Sequence, residues 1–172
     1  MKVEKLMGLM LCIGLCVLNA RADNRGGADH RGGFEARLVG SDVGEHVAGV
    51  PSGGAPWKVG RSEVEVMSSG KIEVEAKGLL IASSTAVDTV GPVTMVSASL
   101  ICGDVDVADT VSVPLSSSGD FKIHDTITVP SPCIAPAVLV RIAATTSGPA
   151  TGGPFIAVNG LFTGDDEHEH VH

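Results

Sequence analysis

The chain has 172 residues, a formal net charge of −8, 44% hydrophobic and only 3% aromatic residues. That length fits one domain with end segments left over. A net negative surface without a basic stripe argues against nucleic acid and against anionic lipid, both of which reward Lys and Arg.

At the start, Lys2 and Lys5 precede an uncharged run, Leu6 to Leu18, too short to span a bilayer. The run leads into Ala20-Arg21-Ala22, an A-x-A cleavage signal. This pattern predicts a secretory signal peptide over residues 1–22, a secreted or periplasmic protein, and no transmembrane segment after cleavage. Cys16 raises the alternative of a lipoprotein, but the preceding Leu15 is large where lipid-modifying peptidases want a small residue. Cleavage would remove Cys12 and Cys16 and leave Cys102 and Cys133, an even pair that favours a disulfide in an oxidising compartment. Closing a loop of about 32 residues would stabilise the fold by roughly 3–4 kcal/mol in the chain-entropy model.

Residues 23–52 are rich in Gly, Asp, Arg and His, and Arg25-Gly26-Gly27 recurs as Arg31-Gly32-Gly33. Little apolar periodicity is present, so the expectation is a disordered or loosely ordered arm, with Phe34 and Leu38 docking locally. From residue 53 to 163 the character changes to short Val, Ile and Thr runs separated by Gly, Ser and Pro. Ser62–Met67 and Lys71–Lys77 flank Ser68-Ser69-Gly70, a three-residue hairpin loop with Gly where a left-handed residue is needed. Val64, Val66, Ile72, Val74 and Ala76 then face the core. Leu79–Ile81 and Val93–Cys102 follow, and Val105–Leu115 alternates on its odd positions. Phe121, Ile123, Ile127 and Val129 resume the pattern, and Ala137–Ile142 and Phe155–Leu161 complete the set. No segment sustains a helical period with caps. About eight short strands at hairpin spacing predict an all-β fold, an antiparallel β-sandwich of immunoglobulin-like architecture. With no tyrosine in the chain, the immunoglobulin tyrosine corner is missing.

Pro56-Trp57, the stretch Gly91 to Cys102, the stretch Cys133 to Arg141, and Gly153 to Val158 together resemble a group of exported bacterial proteins of unassigned function. The likeness runs from about Pro56 to Phe162. It implies a disulfide-linked β domain in an exported protein and carries no catalytic residues to transfer.

Several constellations bear on chemistry. The acidic tail, residues 164–172, places His168, His170 and His172 at alternate positions among carboxylates, a ligand set suited to Zn²⁺, Cu²⁺ or Ni²⁺. A solubilising tail is the plain reading of the same residues. In the first hairpin, a Ser68–Gly70 loop sets Glu65 opposite Glu73 and Glu63 opposite Glu75, an unfavourable pairing of like charges. An alternative register would pair Glu65 with Lys71 but misplaces Gly70. The first register predicts an acidic outer face for a cation or a basic partner, or a solvated face relieved by Arg61 and Lys77.

Asp109 and Asp125 interrupt apolar faces and read as bulge or rim positions rather than an acid/base pair. Asp104, Asp106 and Asp109 lack the spacing and closing Glu of an EF-hand loop. His124 is the one histidine of the expected sandwich and has outward parity. With no nucleophile, metalloprotease or phosphate-loop motif, an enzyme is not expected. The expectation is a non-catalytic exported protein with a structural, adhesive or protein-interaction role, its partner an unknown protein or envelope component. Metal binding through the tail is the alternative. A glycan or small-ligand module is the third reading, disfavoured by a lone Trp57 and the absence of Tyr.

Overall fold

The computed structural model describes residues 32–83, 85–144 and 152–160. They contain thirteen strands and no helix. In chain order these are β1 (Gly33–Gly40), β2 (His46–Val47), β3 (Val50–Pro51), β4 (Trp57–Lys58), β5 (Arg61–Met67), β6 (Lys71–Lys77) and β7 (Leu80–Ile81). They continue as β8 (Met95–Cys102), β9 (Val105–Asp109), β10 (Val113–Pro114), β11 (Phe121–Thr126), β12 (Pro136–Ile142) and β13 (Phe155–Gly160). Eight of them form one antiparallel path, β10-β8-β12-β13-β1-β5-β6-β11, with β9 also paired to β8.

The path folds over on itself. Val64, Ile72, Val74 and Ile123 from one half pack with Val96, Leu100, Val138, Val140 and Ile156 from the other in a single buried cluster. The hinge of this curl is β1. Its first half, Gly33–Ala36, pairs with β5, and its second half, Arg37–Gly40, pairs with β13. This order establishes an antiparallel all-β fold; it does not establish the immunoglobulin-like arrangement.

Residues 33–52 correct the expected arm. Phe34, Ala36 and Leu38 alternate inward while Glu35, Arg37 and Val39 stay exposed, which is a strand with one buried face. At its end the chain crosses Trp57 so closely that a Cβ on Gly40 would lie 2.0 Å from the Trp57 carbonyl oxygen. Buried Ser41 fixes that crossing: its amide donates to Ile156 O at 3.1 Å and its carbonyl accepts from Trp57 N at 2.8 Å. The β2–β3 hairpin then covers the outer side of the second half, where Val50, Ile101, Leu139 and Phe155 form a separate buried cluster. Strands β8 and β12 are therefore buried on both faces, which is why they read as unbroken apolar runs rather than alternations.

The β5–β6 hairpin forms as the turn chemistry requires. Gly70 has φ of +93°, and a Cβ there would lie 2.1 Å from Ile127 O. By contrast, Val105–Leu115 is not one strand. Opposite Leu100 and Ile101 stand Ala108 and Asp106, so Val107 is the extra residue of a bulge that changes the parity of the strand. Val105 and Val111 are in consequence 60% and 50% exposed. Buried Thr110 ends β9, its amide donating to Ala98 O and its Oγ1 accepting from Ala98 N, both at 2.9 Å. The disulfide Cys102–Cys133 is formed and ties the end of β8 to the approach to β12.

Candidate functional site

The outer face of β1, β5, β6 and β11 is built from the residues that alternate with the core positions. Its side-chain rows are fixed by register. One row runs Glu35, Glu65, Glu73, His124 across the four strands. The next contains Glu63, Glu75 and Lys122, and a third sets Arg61 against Lys77. The opposed glutamates follow from the turn, and β1 adds a fifth, Glu35, that the sequence reading did not place.

Relief of this repulsion is one-sided. Lys71 and His124 both contact Glu73, the histidine Nε2 at 2.9 Å from Glu73 Oε1. Lys122 Nζ lies 3.2 Å from Glu75 Oε2. The Lys71 hydrogen bond, with the charges of His124 and Lys122, holds the Glu73 carboxyl below its ordinary range, and Glu73 in turn raises Lys71. All four groups sit on β6 and β11. Among the described residues no cation makes an ion pair with Glu35, Glu63 or Glu65. Arg61 and Lys77, expected to relieve the glutamates, stand opposite one another in the row next to Glu63 and Glu75.

Beside this face, where the two halves of the sheet part, lies a groove of about 380 Å³. Phe34, Val66, Met67, Leu100, Val129 and Pro136 line it, together with Ser68 and Ser131. No charged side chain takes part in the lining.

A second polar cluster lies on the other half of the sheet, and sequence reasoning missed it. Arg141, buried, donates from Nη1 to Asp106 Oδ2 at 2.7 Å and from Nε to Gly153 O at 2.7 Å. Ser99 Oγ bridges to it, accepting from Arg141 Nη1 at 3.4 Å and donating to Asp109. The bulge at Val107 puts Asp106 and Asp109, three apart in sequence, on one face. Burial, then the Asp109 charge, push the Asp106 carboxyl above its ordinary value despite Arg141. These aspartates serve a buried arginine and not a calcium loop. A charge inside the apolar run Ala137–Ile142 was the available signal, since a buried cation needs a partner.

Asp125 has a structural task. Its Oδ2 accepts from Val111 N at 2.8 Å, where β11 meets the far end of the curled sheet. Among the described residues no three His, Cys, Asp or Glu side chains stand close enough to hold a metal ion. His168, His170 and His172 lie outside the described residues. No described helix is long and apolar enough to cross a membrane.

Neither a protein-family model, nor a curated protein, nor a solved structure matches this chain. The functional reading therefore rests on the rows of glutamates, the groove and the buried arginine themselves.

Proposed function

We propose that the protein is a non-catalytic, exported β domain that works by protein interaction, presenting the acidic face of β1 and β5 to a basic partner. The observation that carries this reading is the Glu35–Glu65–Glu73 row, with Glu63–Glu75 beside it. Like charges directly opposed across a ladder weaken a sheet. Opposed carboxylates held at fixed spacing on a rigid sheet favour a partner that brings cations to them and disfavour a like-charged one. The disulfide supports export, since such bonds persist in oxidising compartments.

Trilysine is a minimal probe of this face. Added to the ¹⁵N-labelled protein, it should shift the amides of Glu35, Glu63 and Glu65, with shifts that shrink as salt rises. The triple variant Glu35→Gln, Glu63→Gln, Glu65→Gln should lose them. Shifts of equal size in that variant, or none in the wild type, would contradict the reading.

A further inference from the structure

The apolar groove and the acidic rows are parts of one surface. The Phe34–Val66 pair of β1 and β5 faces inward and forms a wall of the groove. The Glu35–Glu65 pair beside it faces out. On the other side of Phe34–Val66 comes Gly33–Met67, which has the parity of the glutamates yet also lines the groove. Because Gly33 has no side chain, the outer face opens over the end of β1 into the apolar space.

From this continuity we infer that the groove, with Glu35 and Glu65, docks an extended segment of a basic protein, seating an apolar side chain inside and Lys or Arg over the glutamates. The proposal rests on the acidic-face reading and adds the anchor and the form of the partner. Charge decides the occupant. An uncharged groove bordered by carboxylates that make no ion pair among the described residues favours a segment whose apolar residue is flanked by cations, and disfavours an acidic one. A second copy of this chain would bring its own net charge of −8. Spacing agrees with an extended segment: same-face residues of β1 recur about every 7 Å, as do alternate side chains of a partner strand. The volume, about 380 Å³, is near the low end for ligand pockets and suits one or two side chains better than a large cofactor.

Three pentapeptides test this by ¹⁵N shift titration of the full chain, each with serine at positions 2 and 4 so that residues 1, 3 and 5 share a face: lysine–leucine (Lys-Ser-Leu-Ser-Lys), lysine–glycine (Lys-Ser-Gly-Ser-Lys) and glutamate–leucine (Glu-Ser-Leu-Ser-Glu). The variants are Gly32→Phe and the pair Glu35→Gln, Glu65→Gln. A Cβ on Gly32 would meet only Ser68 side-chain atoms at 3.5 Å, so Gly32→Phe fills the mouth of the groove without forcing the backbone. The lysine–leucine peptide should shift Val66, Leu100 and Val129 and bind at least about tenfold more tightly than either other peptide, and each variant should weaken it about tenfold. Equal binding of the lysine–glycine peptide, unaffected by Gly32→Phe, would overturn the groove while leaving the acidic face standing. Equal binding of the glutamate–leucine peptide, or no shift with lysine–leucine, would overturn the partner chemistry as well.

Discussion

Glu65 stands between two other glutamates, Glu35 on one neighbouring strand and Glu73 on the other. Replacing it by Gln keeps its shape and strand position and removes both repulsions. Glu65→Gln should therefore raise stability by roughly 0.2–1 kcal/mol, the size of a cross-strand pair term, read as a higher urea midpoint at unchanged slope. An unchanged or lower midpoint would mean the repulsion is already screened. Asp106 gives a prediction in pH. Its folded carboxyl lies above the ordinary 3.8, so the folded protein holds that proton more tightly than the unfolded chain does. The contribution is complete below the unfolded value and is lost as pH rises through the raised folded value. Asp106→Asn has no such titration. The stability of the wild type relative to Asp106→Asn should fall as pH rises from below the unfolded carboxyl's value through the raised folded value, and then level off. A difference that grows over this window would show that the Arg141 contact, and not burial, governs Asp106.

At the scale of elements, β1 holds the architecture together. It is the only described strand that pairs with both halves of the path, and the β2–β3 hairpin that follows it covers the outer cluster around Phe155. A chain begun at Gly53 should lose the cooperative thermal transition seen with the full chain; a sharp transition in the shortened chain would return residues 33–52 to the status of an arm. The sequence made the β5–β6 hairpin legible because alternation and the Gly70 turn agree on one register. It also made β8 and β12 legible as strands, through their apolar runs. What it left unread was long-range. Glu35 joined the acidic rows only once β1 found β5, and the partners of β1 lie at opposite ends of the domain. The bulge at Val107 has no compositional mark, so Val105–Leu115 read as one strand and the meeting of Asp106 with Arg141 stayed hidden. The groove needs both halves of the curl in place, which alternation alone does not specify.

At the scale of the whole molecule, the fold separates two kinds of charge. Around Arg141 the charges are compensated and largely enclosed, and they tie β9 to β8 and β12. On β1 and β5 the glutamates Glu35, Glu63 and Glu65 lie at the surface with like charges opposed across the ladder, between Arg37 and Arg61 farther along the same strands. Such a face serves binding if it weakens the free protein and gains on contact with a cation. Urea unfolding of the wild type and of the Glu35→Gln, Glu65→Gln variant, each with and without the lysine–leucine peptide, tests this in one experiment. The variant alone should unfold at higher urea than the wild type, and the peptide should raise the wild-type midpoint while leaving the variant's nearly unchanged. A variant that is less stable alone, or is stabilised by the peptide as much as the wild type, would contradict a binding role for the acidic face.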